Sequence, residues 1–481
     1  MKCKITHKLF PLLSVRVLNS VVKTKEFSLS RTVRLLDTIF SRSSKKSLEV
    51  TTLLFFIALQ GFSQEILTKK EALKLTLENN FGIKIANNNV EVANNNKRIY
   101  NTGFLPTVSA TSGANYRRDN QTITRQDGSS TSIDGAVTKS YNASVNLNYT
   151  IFDGLGRKYN YQQLKETYNL TELQAKETIE NTYLQLFTFY FQIARLSENK
   201  NNLEEALTIS KQRLKRATYQ YEYGQSTRLE LLNAEVDVNN DSITLINATQ
   251  QLSNAKRGLN VVLGVQKEVN YEVETEVDFN TLLNFDDLQE KTIANNITLK
   301  QNEKNIAISE FNIKINKANY LPSLGVTTSY GWNKSENPPT SFLAGATSNG
   351  LNAGVNLSWN LFDGGSTKTR VANAKIALEN QQILLAQQKI TIENNLKNTW
   401  ENYKNQLFII KAQEKNVLTT QNNFDRTTER YKLGQITSIE FRQAQINLIN
   451  AKTAFNNAKF DAKLIELQLL QLSGDILNVK F

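Results

Sequence analysis

Cys3 and His7 are the only thiol and the only imidazole in the 481-residue sequence. Nucleophile–base pairs, zinc sites and disulfides draw on these two groups. Both sit in a front segment that the sequence marks for removal. The mature chain is then left with carboxylates, amines, guanidiniums, amides and hydroxyls. An all-carboxylate site stays chemically open, but no acidic constellation singles itself out. The expectation is a protein that is not an enzyme and holds no metal or cofactor. What does single itself out is recurrence. Phe152-Asp153-Gly154 returns as Phe362-Asp363-Gly364, and Tyr221-Glu-Tyr-Gly224-Gln225 as Tyr431-Lys-Leu-Gly434-Gln435, each 210 residues on. Asp153 and Asp363 are placed to cap a following helix, and Gly154 and Gly364 permit a tight exit from a strand. Gly224 and Gly434 are helix stops.

The recurrence extends to the whole chain. Leu105-Pro106 and Leu321-Pro322 are 216 apart, as are Asn79-Asn80 and Asn295-Asn296. The sequence is therefore a duplication. Its expected division is a front segment 1–63, a first repeat 64–285, a second repeat 286–474 and a tail 475–481. Each repeat reads helix, Leu-Pro, two strands, Phe-Asp-Gly, long helix, Gly turn, return helix.

Residues 1–63 hold 11 Lys/Arg and three Asp/Glu, whereas residues 64–481 hold 46 and 42. Most of the basic excess thus lies in the front segment, so nucleic acid is not an expected partner. Within it, Val50–Leu59 is a short apolar run behind Lys45 and Lys46, followed by Gly61-Phe62-Ser63. This is a secretory signal with cleavage expected after Ser63. Residues 1–44 are either an over-called start or a long leader. No downstream run reaches 18 apolar residues, so any membrane crossing must use strands.

Strands are expected at about 107–118, 139–152, 323–333 and 350–362. Prolines 106 and 322 stop the preceding helices, the first of them spanning about 82–105. Beyond them apolar and polar residues alternate strictly. Tyr141, Ala143, Val145, Leu147, Tyr149 and Ile151 oppose Asn142, Ser144, Asn146, Asn148 and Thr150. Period two with one apolar face marks a half-buried strand. The segments run 10–12 residues without a charge, the length of a tilted membrane crossing. Aromatics near their ends suit interfacial girdles. The polar segments 117–139 and 334–349 are expected as loops outside the cell. A soluble sandwich edge explains the alternation but not the charge-free length.

Four strands cannot close, and an open edge in lipid leaves backbone groups unpaired. Two chains would make a plugged eight-stranded barrel; three make twelve strands and leave a pore. Three is the expectation.

The long helices need another surface. Residues 157–222 and 367–433 contain neither Pro nor Gly, about 100 Å of helix each. Hairpins 157–263 and 367–473 are expected. Each return helix carries apolar residues at steps of three and four, from Leu231 to Val262 and from Phe441 to Leu472. Asp241 is the one polar break among twenty positions. A sustained 3.5 period means helices supercoiled against neighbours. The remaining faces are rich in Asn, Gln, Lys and Glu, which fits a hollow wall with water on both sides.

Signal peptide, duplicated helix–Leu-Pro–hairpin–Phe-Asp-Gly units and paired Tyr-x-x-Gly turns together resemble the TolC-like outer-membrane efflux protein family, over about 66–474. The resemblance implies a mainly α protein with membrane β structure. Duplicated long-helix hairpins would form a trimeric α-barrel, topped by a shared 12-stranded β-barrel with four strands per protomer. It implies an outer-membrane location with a long periplasmic extension. The partners implied are outer-membrane lipid, a periplasmic adaptor and an inner-membrane pump of RND or ABC type, for efflux or type I secretion. Gly224, Gln225, Ser226 and Thr227, with Gly434, Gln435 and Thr437, match the tips that dock the adaptor. Glu440, with Glu230 as its counterpart, matches an acidic ring at the constriction; otherwise each is a solvated helix carboxylate. The sequence departs from the family at Gln443, where a second acid is expected, and at Ile436, where an Arg is expected. Tyr431 is kept, and Arg228 is the candidate substitute for that Arg. The rival readings are a trimeric adhesive coiled coil on a small barrel and a periplasmic adaptor.

Overall fold

The computed structural model describes residues 66–279 and 283–479. The chain divides into Met1–Glu65 and Ile66–Phe481, and the architecture is that of the second unit. The expected signal peptide and its cleavage after Ser63 lie outside the described residues.

Strand β1 (Ile66–Leu67) leads into helices α1 (Lys69–Asn79) and α2 (Phe81–Asn96). Hairpin β2 (Thr107–Thr124) and β3 (Ser130–Asp153) follows, then α3 (Gly156–Glu222) and α4 (Arg228–Leu263). After β4 (Glu272–Val273) the plan repeats as α5 (Phe285–Asn295), α6 (Ile297–Ala318), β5 (Ser323–Glu336), β6 (Gly345–Ser358), α7 (Ser366–Lys432) and α8 (Ser438–Leu472). No helix among the described residues is long and apolar enough to cross a membrane.

The four long strands form one antiparallel sheet in the order β2-β3-β5-β6, so β2 and β6 are its edges. The register puts Val108 opposite Leu147, Ala110 opposite Val145 and Val145 opposite Tyr330. The apolar rows of neighbouring strands therefore lie on one face.

Four expectations need correction. Residues 117–139 are mostly strand, not loop: β2 runs to Thr124 and β3 starts at Ser130. Solvated Thr, Ile and Val residues suit an antiparallel ladder, and Thr122 and Ser132 hydroxyls meet across it at 3.1 Å. Asp127-Gly128 makes the turn, with Asp127 accepting from the Ser129 N–H at 2.9 Å. Likewise β5 reaches Glu336 and β6 begins at Gly345, so the expected loop 334–349 shrinks, while β6 stops at Ser358 rather than 362. Finally, the helix expected over 82–105 ends at Asn96. Its last turn is Asn94-Asn95-Asn96, residues that favour caps and turns. Its counterpart α6 continues to Ala318.

Each return helix is extended by the short helix of its own repeat. The Asn80 side-chain oxygen caps α2 by accepting from the Ile83 N–H at 3.1 Å, and its amide donates to the Val262 carbonyl at 2.7 Å. Asn296 does the same between α6 and Leu472. One side chain thus starts one helix and fastens it to the end of another. The stack of α4 and α2 covers most of the length of α3, and that of α8 and α6 most of the length of α7.

The largest core lies midway along α3. Phe187, Tyr190, Phe191 and Phe460 pack there with Leu67, Tyr271 and Val273. The Tyr190 hydroxyl donates to the Leu67 carbonyl at 2.7 Å and accepts from the Glu274 N–H at 3.0 Å. The tail joins this belt, with Ile476 fully buried.

Candidate functional site

The strand-to-helix turns hold the sheet on the helices. Asp153 accepts from the Arg157 N–H at 2.9 Å and from its guanidinium at 3.1 Å. Arg157 in turn donates to the Gly103 carbonyl at 2.7 Å. Asp363 accepts from the Thr367 N–H at 2.8 Å. Those hydrogen bonds hold the Asp363 carboxyl below its ordinary range, the Thr367 hydroxyl contributing most. Phe152 pairs with Leu324 in the sheet, and Phe362 lies exposed just beyond β6. Gly154 has φ 68°, and a Cβ there would lie 2.3 Å from the Ala318 carbonyl and 2.9 Å from Leu321 Cβ. At Gly364 (φ 67°) a Cβ would meet nothing within 4 Å. Gly154→Ala therefore combines a positive-φ cost of about 1 kcal/mol with a backbone clash, and should destabilise by about 3 kcal/mol or more. An unchanged denaturation midpoint would refute that packing.

At the opposite end, both helical hairpins turn on glycine. The Gln225 N–H donates to Gln220 and the Gln435 N–H to Arg430, bonds that close the helix ends around Gly224 and Gly434. Thr437 and Glu440 form a capping box: the Thr437 hydroxyl accepts from the Glu440 N–H at 3.2 Å, and the Glu440 carboxylate accepts from the Thr437 N–H at 2.8 Å. That backbone bond, with the Thr437 hydroxyl, pulls the Glu440 carboxyl below its usual range. Glu230 accepts from the Ser226 hydroxyl at 2.6 Å. Both acids thus serve their own turns, and within one chain they remain on separate hairpins.

Tyr431 does not meet Arg228. Its ring stacks on Phe441 at 4.7 Å between centroids, and the Arg216 guanidinium lies 4.9 Å from its centre. Arg216 also donates to the Lys432 carbonyl at 3.0 Å. Half-buried Ile436 joins Phe424 and Phe441 in the same apolar cluster, which draws Tyr431 inward. Arg228, the first residue of α4, faces outward instead.

Above the tips, α3, α4 and α8 meet around ions that sequence reading did not assign. Arg442 donates to both Asp241 oxygens, at 2.8 and 2.5 Å, and lies 3.6 Å from Asp237. Arg213, 3% exposed, pairs with Asp237 and donates to the Ser438 carbonyl at 3.4 Å. Ser210 donates to Asp241 at 2.6 Å. Gln445 accepts from Arg442 at 2.9 Å and donates to the Ala206 carbonyl at 2.9 Å. Two guanidiniums and two carboxylates balance one another in a mostly buried joint between the hairpins. The available signal was Asp241 itself, the polar break in the seam. At a 210-residue shift Asp241 corresponds to Ala451 and Arg442 to Leu232, so the joint exists only once per chain.

A second unforeseen feature is an apolar stripe with no partner in the chain. On α4, Leu229, Leu232, Val236, Ile243 and Ile246 are exposed, beside the buried seam that packs on α3. On α7, Ile376, Ile383 and Ile390 recur every seven residues and are 56%, 58% and 63% exposed. On α8, whose equivalent face packs against α3, Ile439 is the only exposed large apolar residue among those described. On α4 and α7 an apolar face thus stands beside the polar ones with nothing among the described residues to cover it.

Comparison with known proteins gives one consistent answer. The family model for outer membrane efflux proteins matches residues 72–265 and 288–475. The chain is 21% identical over 379 residues to the outer membrane protein TolC of Vibrio cholerae serotype O1, covering 78% of this chain and 83% of that one. It is 18% identical over 330 residues to the outer membrane efflux protein BepC of Brucella suis biovar 1, covering 69% and 71%. The crystal structure of the Campylobacter jejuni CmeC outer membrane channel superposes with a TM-score of 0.71, at 18% identity and 85% coverage of each chain.

Proposed function

The chain belongs to the outer membrane efflux protein family, and on that premise we propose that three copies form a passive conduit across the outer membrane, gated at the helical tips. The carrying observation is the four-stranded sheet with two free edges, β2 and β6. Hydrocarbon supplies no hydrogen bonds, so edges of membrane length must pair with further copies. Twelve strands enclose a wet lumen, where eight would be plugged.

The helices support the same count. Inside one chain, repeat one packs on repeat two through α3 against α6 and α8. Shifted by one repeat, the same contact places α7 of one protomer against α2 and α4 of the next. Those are the elements that carry the unpartnered stripes, and Phe81, Ile85 and Val92 of α2 are exposed as well. The open space at Gly364 fits the neighbour's α2 end, as Ala318 fits Gly154.

In this reading Gly224, Gln225, Ser226 and Thr227, with Gly434, Gln435 and Thr437, present the surface for a periplasmic adaptor. In the same reading an inner-membrane pump supplies the energy. The constriction has two parts. Glu230 and Glu440, repeated three-fold, make a cation-attracting throat. The Arg442–Asp241 joint holds the two hairpins of each protomer together, so opening requires its charges to part.

Reconstitution into planar bilayers tests the conduit. A detergent-stable trimer giving discrete conductance steps is expected. Glu440→Ala combined with Glu230→Ala should raise conductance and weaken block by divalent cations. A detergent-free soluble monomer would end the proposal; unchanged conductance and block would remove only the acidic throat.

A further inference from the structure

The outer rim of the sheet carries a cationic track on its apolar face. The first hairpin continues well past the charge-free band, and its first charges follow directly on the aromatics. Strand alternation and register assign the face. Ala114 pairs with Tyr141 and Tyr141 with Lys334; one step outward, Tyr116 pairs with Lys139 and Lys139 with Glu336. One step further lies Arg118, paired with Val137. Arg118, Lys139 and Lys334 therefore share the face of Val108, Ala110 and Val145, the face turned to lipid. Paired residues in adjacent strands oppose each other, and diagonal neighbours lie about 7–8 Å apart. Arg118 is diagonal to Lys139, and Lys139 to Lys334. The three cations thus form one line over a shelf of Tyr116, Tyr141 and Trp332, all exposed.

Only one acid shares this line. Glu336 lies 3.8 Å from the Lys139 ammonium and 3.1 Å from that of Lys334. Two ammoniums on one carboxylate leave the track net positive even before Arg118 is counted. The Arg118 guanidinium reaches over Gly135, where a Cβ would stand 2.9 Å from its Nε. Arg117 pairs with Asp119 on the opposite face and adds nothing here. At the helix end of the sheet the same face offers Tyr149, Leu324 and Leu357 and no charge. The charge is therefore particular to the outer rim.

We propose that this track, Arg118–Lys139–Lys334 above the aromatic shelf, binds the phosphate-bearing headgroup of an anionic lipid of the outer leaflet. The cations meet phosphate oxygens, and the aromatics hold the junction of headgroup and acyl chain. The spacing favours a headgroup with two separated phosphates over a single small anion. The assignment rests on the outer-membrane channel reading, because that reading fixes which face meets lipid and which end points outward.

The test uses the full trimer in phosphatidylethanolamine nanodiscs doped with bisphosphorylated lipid A, or with the same lipid dephosphorylated. Retained lipid is counted by native mass spectrometry after delipidation. Wild type should retain the phosphorylated form at least about ten-fold over the other. Arg118→Gln with Lys139→Gln and Lys334→Gln should erase that preference, while conductance stays normal. Lys139→Arg with Lys334→Arg should keep it, which separates lost charge from misfolding. Equal retention of both lipids, a preference that survives the triple variant, or displacement by millimolar inorganic phosphate would each overturn the lipid site. If wild type yields no trimer and no conductance, the channel reading falls and takes the site with it. An intact conducting trimer without lipid preference overturns the site alone.

Discussion

Arg442→Leu is expected to open the channel. The substitution leaves Asp241 and Asp237 facing one guanidinium, Arg213, in a joint where Arg442 and Asp241 are mostly buried. Removing one partner of such a pair costs about 3–5 kcal/mol, because the other charge is left uncompensated. The Ser210 hydroxyl still donates to Asp241, so the lower end is the better figure. About 3 kcal/mol corresponds to more than a hundred-fold in the equilibrium between joined and parted hairpins. Open probability in a planar bilayer should rise steeply, and the trimer should melt earlier.

The double variant Asp241→Leu with Arg442→Leu discriminates. Two leucines of similar volume can pack in the place of the ion pair, and such replacements are often neutral or better. The joint should then reclose, with open probability falling back toward wild type. Arg442→Lys keeps a charge but loses the two-pronged grip on Asp241, and should lie between. A channel whose gating ignores all three variants would show that the hairpins move as one body, and the joint would be purely architectural.

The sequence disclosed most of what is periodic or repeated. The duplication, the two 67-residue helices and the alternating strands follow from spacing alone. What it hid was decided by neighbours. The β2–β3 extension has no apolar face to announce it; backbone pairing and the Asp127-Gly128 turn sustain it. The stripe on α4 runs beside the buried seam, whose steps of three and four account for one face only, and no local pattern says what lies against the other. The joint around Arg442 required knowing that α8 lies against α3 and α4, which no local pattern encodes. Glu180 is similar. In sequence it is one glutamate among many, yet desolvation in the fold pushes its carboxyl up to about 7. At the tips the motifs were legible, but a capping box and a constriction acid are the same Thr-x-x-Glu in sequence. Geometry within one chain assigns the first, and the second depends on three-fold assembly.

Ile383→Asp combined with Ile390→Asp is expected to abolish the trimer while leaving the protomer folded. Neither side chain contributes to a core cluster, and both are more than half exposed. In isolation the chain should therefore tolerate the change, with helical content retained. Between protomers the outcome is the reverse. Each isoleucine forfeits on the order of 1–2 kcal/mol of further apolar burial. Each aspartate must also shed water against a neighbouring helix with no cation assigned to meet it, a cost of several kcal/mol. A closed three-fold ring contains the contact three times, so the penalty multiplies. The edges of β2 and β6 then have nothing to pair with, and no conducting barrel can close. Cross-linking in detergent should capture monomers only, and bilayer recordings should be silent. Gln382→Ala, an exposed position about 100° round the helix from Ile383, serves as the control and should assemble normally. Trimers of unaltered yield from the Ile383/Ile390 variant would mean that the stripe on α7 faces something other than the next protomer. The barrel would then have to be completed by the strands alone.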